Sequence, residues 1–144
     1  MDNRSHQITT TQTGETMSNI KRARNILQTC INAVDSSPKD YGLFELKELI
    51  QKIMDKTSSE DDFWLDLEGG EVRLIDEDAI DEIWTDSLID QIKECYDLPD
   101  LPPFVAIDWE ETAKNCKVDG LGHHFASYDH NEHNSENWHI FRTN

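Results

Sequence analysis

The chain has 144 residues, 36% of them apolar, with four Trp, five Phe and a formal net charge of −17 from thirty acids against thirteen bases. That length fits one domain with a buried core, and the aromatic content is too high for a disordered polyelectrolyte. No apolar run reaches the ~20 residues of a membrane span, and a polyanion of this size is repelled by phosphates, which argues against direct nucleic-acid binding.

The charge is concentrated. Residues 60–111 hold nineteen acids and two bases, Arg73 and Lys93, while the two flanks balance each other. Three unevenly spaced cysteines, Cys30, Cys95 and Cys116, are too few for a disulfide framework and point to a reducing, cytoplasmic compartment. Cys30 and Cys95 fall among apolar neighbours and read as small buried hydrophobes.

Residues 1–16 are polar, without an aromatic or the apolar core of a secretory signal, and read as a disordered tail, with Met17 a candidate second start. From Ser18, read as an N-cap, apolar residues at Ile20, Ala23, Ile26, Leu27, Cys30, Ile31 and Val34 predict a helix that Ser36–Asp40 breaks. A second helix is predicted from Leu43 to Lys56, so residues 17–58 should form a helical hairpin. Residues 59–144 should form an acidic α+β unit, compact with the hairpin.

Asp62–Leu67 and Glu71–Ile75 flank Gly69-Gly70, which predicts a β-hairpin whose glycines supply the positive φ of the turn. Over 76–96 the apolar residues spread over too wide an arc for one straight helix, and two short helices fit better, the second capped at Thr85 or Asp86. Leu98–Pro103 is a proline-rich connector. Asp108-Trp109-Glu110-Glu111 is a capping-box-like start to a helix ending near Cys116. Gly120 and Gly122 open a second hairpin, pairing His123–Tyr128 with Trp138–Arg142. The fold class expected is therefore α+β: an N-terminal helical hairpin, a β-hairpin, short acidic helices and a C-terminal β-hairpin.

Asp78, Glu82, Asp86, Asp90 and Glu94 recur every four residues. Each such step rises about 6 Å along a helix axis, a spacing comparable with that of phosphates along a nucleic-acid strand. Glu60, Asp61, Asp62, Asp66, Glu71, Asp97, Asp100, Glu110 and Glu111 extend the field. Solvated helix faces normally mix Lys with Glu, because like charges at i,i+4 cost a few tenths of a kcal/mol per pair. A ladder of acids alone therefore reads as a surface for a basic partner, and Asp78, Glu82, Asp86, Asp90, Glu94, Glu60, Asp61, Asp62, Asp97, Glu110 and Glu111 are its candidate contacts.

Five histidines lie within 123–139: His123, His124, His130, His133 and His139. Neutral imidazole ligates zinc, but no Cys-x-x-Cys or His-Glu-x-x-His accompanies them, and turn and surface positions are the plainer reading. No nucleophile elbow, P-loop, dinucleotide fingerprint or deaminase motif is present, so neither an enzyme nor a cofactor is expected.

Phe104-Val105-Ala106-Ile107-Asp108-Trp109-Glu110-Glu111-Thr112-Ala113, with Gly120 and Trp138-His139-Ile140-Phe141-Arg142, resembles a stretch of the ArdA-type antirestriction proteins of phages and plasmids. The resemblance covers about residues 104–142. It implies an acidic DNA mimic that occupies the DNA groove of a restriction enzyme, and it carries over Asp108, Trp109, Glu110 and Ala113 as a structural helix start. The N-terminal helical pair and the histidine-rich 120–137 stretch depart from that pattern, and an anti-CRISPR protein fits the charge equally well. The function expected is a phage-type DNA mimic that evades host defence in the host cytoplasm. It would inhibit a restriction enzyme or CRISPR effector by stoichiometric binding to its basic groove, with homodimerisation left open. A non-enzymatic interaction module, anchored by Trp64, Trp84, Trp109 and Trp138, and a small histidine-rich metal-binding domain are the alternatives.

Overall fold

The structure is a computed structural model that describes the backbone of residues 2–95 and 102–144 and the side chains of residues 18–95 and 102–144. It is α+β: four helices and one four-stranded antiparallel sheet of order β1-β2-β4-β3. None of the described helices is long and apolar enough to cross a membrane.

Helix α1 spans Asp2–Ala33. It begins well before Ser18, which is an interior residue and not a cap, and the segment 2–16 expected as a disordered tail continues the helical backbone. The chain has no proline before Pro38, and a helix nucleated by packing propagates at little cost per residue. The helix ends where Asp35 takes φ 56°. There the Ser36 amide donates to Ile31 and that of Asp35 to Asn32, a Schellman closure made with Asp in place of Gly. A capping box between Ser37 and Asp40 holds the one-turn connector Pro38–Asp40. Helix α2 then runs Leu43–Thr57, as its stripe predicts.

Strands β1 (Asp62–Leu67) and β2 (Gly70–Asp76) form the expected hairpin, with Phe63 opposite Leu74 and Leu65 opposite Val72. The glycines meet the expectation in part, since Gly70 carries the positive φ and Gly69 does not. Neither Glu68 nor Gly69, the two turn residues, has positive φ. A Cβ on Gly69 would strike the Val34 carbonyl at the end of α1, and one on Gly70 (φ 156°) would strike the Asn144 carbonyl. Other backbone passes close to both, and at Gly70 this adds to the demand of its positive φ.

Helix α3 is a single helix, Glu77–Cys95, and not two short ones. Its wide apolar arc is real, and it is served by two different neighbours. Ile80, Ile83 and Trp84 pack on the sheet with Ile75, Phe125, Ala126 and Phe141, whereas Leu88 and Ile92 are buried toward helix α4 (Trp109–Val118), which packs along α3. Residues 96–101, including Asp97 and most of the proline-rich connector, lie outside the described residues.

The second hairpin pairs different strands from those expected. Strand β4 (Trp138–Arg142) pairs with the polar β3 (Glu132–Ser135), and His123–Tyr128 is irregular. A two-residue turn at Glu136-Asn137, with φ 52° and 69°, sets the register, and its backbone twist matches that of paired strands. Phe125 and Ala126 are buried as a cover over the sheet. Alternation cannot reveal β3, because it is a sheet edge with no apolar residue.

Three layers result. The helical pair α1–α2 covers one face of the sheet through Ala23, Ile26, Leu27, Cys30, Ile31, Val34, Leu49 and Ile53 packed on Phe63, Leu65, Val72, Leu74, Trp138 and Ile140. The other face carries Trp64, Arg73, Ile75, His139 and Phe141, by the alternation of the strands, and is covered by 123–126 and α3. Cys30 is fully buried and its thiol is pushed up to about 12 by burial. Cys95 is exposed at the end of α3, contrary to its expected burial.

Candidate partner-binding surface

The five carboxylates of the 78–94 ladder sit on one unbroken helix, all exposed, and among the described residues none of them makes an ion pair. Their arrangement is not a flat ridge. At 3.6 residues per turn each four-residue step turns about 40°, so the ladder winds about 160° around α3 between Asp78 and Glu94. The two ends therefore meet different surroundings. Asp78 lies by the concavity formed with Arg22 of α1 and Glu136 of the β3–β4 turn. Glu82 and Asp86 face Glu110, Lys114 and Lys117 of α4. Asp86, Asp90 and Glu94 form one wall of a groove whose other wall is Arg73, His124 and Phe125.

The remaining candidate acids divide similarly. Glu110 and Glu111 stand in the first turn of α4, where Asp108 caps the helix by accepting from the Glu111 amide at 3.1 Å. Carboxylates there are favoured by the helix dipole. Glu60 is paired with Lys56 at 2.7 Å, and Asp61 uses its backbone carbonyl to accept from the Asp76 amide. Asp62 is committed elsewhere: it accepts two hydrogen bonds from Arg73, at 2.8 and 2.6 Å. The Arg73 guanidinium in turn lies over the rings of Trp64 and Phe125, 4.7 and 4.8 Å from their centroids. Of the two bases in the acidic block, Arg73 thus answers β1, and Lys93 sits over Trp109 at 4.8 Å.

Lys117, outside that block, is the base that most affects the site. Its ammonium donates to the Asp81 carboxylate and the Thr85 hydroxyl, both at 2.8 Å, and lies over Trp84 at 4.6 Å. It ties the end of α4 to the first half of α3, while Lys93 on Trp109 ties the start of α4 to the second half. The two helices therefore run antiparallel, with Glu110 of the first turn of α4 beside Glu82 and Asp86. A lysine at i+8 from Trp109 carries no sequence signal for this role; only the packing of the two helices gives it one.

The Trp anchors of the interaction-module alternative are mostly occupied. Trp138 is buried, Trp84 and Trp109 are half-buried beneath lysines, and Trp64 alone is exposed, with Arg73 across one face. Large apolar residues standing open are instead Leu43, Phe44, Phe104 and Val118.

Some of the histidines do come together. His123 stacks on Phe125 at 4.5 Å and meets Trp84 and Phe141 edge-on at 5.5 and 5.1 Å. His139 pairs with Glu132 at 2.6 Å across β4–β3. His124 turns into the acidic groove. His133 lies on β3, and His130 takes φ 60° in a turn. Among the described residues no group of three or more His, Cys, Asp or Glu is placed to hold a metal ion. Comparison with protein-family models, with curated proteins and with solved structures gives no match for this chain.

Proposed function

We propose that this protein is an acidic, DNA-mimicking inhibitor of a host defence complex, antirestriction or anti-CRISPR. It acts by stoichiometric binding in the basic groove that normally holds nucleic acid. The observation that carries this reading is the unpaired, exposed carboxylate ladder on a single helix, rising about 6 Å per step. A helix face that serves only solubility gains from interspersed lysines; this one carries a single lysine, which is turned onto Trp109. The winding of the ladder is compatible with the role, because phosphates also wind about their axis. The resemblance of Phe104–Ala113 to the ArdA-type helix start narrows the partner to a defence complex. In this chain that stretch builds a capped helix that sets Glu110 beside α3.

The half of the ladder best placed to contact a partner is Asp86, Asp90 and Glu94, which share an open groove wall. The test is retention of host restriction and interference complexes on the immobilised protein at 50 and 500 mM NaCl, with the variant Asp86→Lys/Asp90→Lys/Glu94→Lys alongside. Retention at low salt, release at high salt and loss in the variant are expected, because one polyanion displaces another. Retention that survives both high salt and the charge reversal sinks mimicry through this ladder.

A further inference from the structure

The side chains by which α3 packs on the sheet are Ile80, Ile83 and Trp84, and one imidazole sits in the middle of that contact. We propose that the His123 ring is a pH-sensitive clasp, holding the α3–α4 unit against the sheet while neutral and releasing it when protonated. The inference does not depend on what the acidic surface binds.

The geometry is that of a ring used as a hydrophobic spacer. His123 lies on Phe125 and touches Trp84 of α3 on one side and Phe141 of β4 on the other. Its Nδ1 is buried and has no hydrogen-bond partner among the described residues, and the same holds for Trp84 Nε1 beside it. A neutral imidazole tolerates this setting with one unsatisfied nitrogen. An imidazolium must bury a charged N–H with no acceptor, which is far more costly.

The charged neighbours come from every element around the ring. Arg73 of β2 lies over Phe125, the ring on which His123 stacks, and Lys117 of α4 lies over Trp84. A protonated His123 would thus be a third cation on two rings that each already carry one. His124 of the same segment and His139 of β4 add to the repulsion. Glu132 of β3 opposes it, though its carboxylate is engaged by His139. Asp86, Asp90 and Glu94 of α3 lie along the groove beyond Phe125.

Burial is the largest influence and lowers the His123 pKa from its ordinary 6.5; Glu132 raises it, and His124 and His139 lower it. A group whose folded pKa lies below its unfolded one contributes stability that is complete above about 6.5. That stability is lost as pH falls toward the folded value. Acidification is therefore the direction of release, with α3 still joined to the sheet where β2 runs directly into it at Asp76–Glu77.

The experiment is amide hydrogen exchange of the full chain between pH 7.5 and 5.5, corrected for intrinsic rates, with the imidazole resonances followed in parallel. In the wild type, protection of α3 and α4 should fall relative to α1 and β1–β2, by no more than the roughly tenfold that one proton can supply over one pH unit. The fall should begin near pH 6.5 and level off where the closed-state His123 resonances titrate. In His123→Phe, which keeps a flat apolar ring, the difference should vanish. His123→Gln serves if that variant does not fold, and His124→Gln and His139→Gln should retain the effect. An unchanged pH dependence in both His123 variants, or a parallel loss across all elements, overturns the clasp.

Discussion

Arg73 shows how one side chain can be misread from composition. In the sequence it is one of two bases in an acidic stretch and looks like minor charge relief. In the fold it is partly buried, bidentate to Asp62 and flanked by Trp64 and Phe125, and so it joins β1, β2 and the 123–126 cover. Lysine keeps the charge but loses both the fork and the planar stacking. Arg73→Lys should therefore lower unfolding stability by about 1–2 kcal/mol, read as a shift of the denaturation midpoint; an unchanged midpoint would mean that the fork contributes little. The Asp62 carboxylate, a candidate partner contact on sequence grounds, is engaged in the same pair. Gly69 and Gly70 teach a related point. The dipeptide is a correct turn signal, and Gly70 has the positive φ expected of it, but a second reason, the proximity of Val34 and Asn144, involves residues distant in sequence.

At the level of elements, α3 is the informative one. Its apolar residues drift around the helix by the same 40° per step as its acids, so a single helix shows two successive faces to two successive neighbours. Read by periodicity alone, such drift resembles a break. Leu88 is nearly fully buried under α4 with Ile92 and Ala113, apart from the two larger cores. Truncation there should loosen α4 in particular. Leu88→Ala is expected to cost about 2–4 kcal/mol and to raise exchange of the α4 amides ahead of those of β2. Equal losses in both would mean that α3–α4 and the sheet unfold as one unit. The β3–β4 hairpin escaped the sequence for the opposite reason: β3 is polar throughout. The positive φ of its turn falls on Glu136 and Asn137, held by Asn25 and Arg22 of α1 on the Glu136 carboxylate and by the Glu77 amide on the Asn137 carbonyl.

For the whole molecule the governing quantity is charge. A net −17 whose excess lies in residues 60–111 leaves strong self-repulsion along α3. Salt should relieve it, so raising NaCl from 20 to 300 mM is expected to raise Tm by a few degrees, corresponding to roughly 1 kcal/mol for a chain of this size. Asp90→Lys should raise Tm at low salt and shrink the salt effect while weakening capture of a basic partner. A ladder that costs stability yet is needed for binding is what a mimic requires; an Asp90→Lys protein that is neither more stable nor poorer in binding would argue that the ladder is inert.

The sequence by itself determined the α+β class, the α1 stripe, the bounds of α2, the first hairpin and the Asp108-capped start of α4. These follow from local rules: 3.6-residue and two-residue periodicity, capping chemistry and proline. It also located the acid excess and its four-residue repeat. Tertiary structure decided the rest: that 77–95 is one helix, that β4 pairs with β3 and not with 123–128, and that Asp62 and Lys117 are engaged inside the fold. It also decided that the ladder divides among three surroundings and that His123 ends up caged by aromatic rings. Each of these depends on which other element a side chain meets, and no local pattern encodes a partner such as Asp81 for Lys117, 36 residues away.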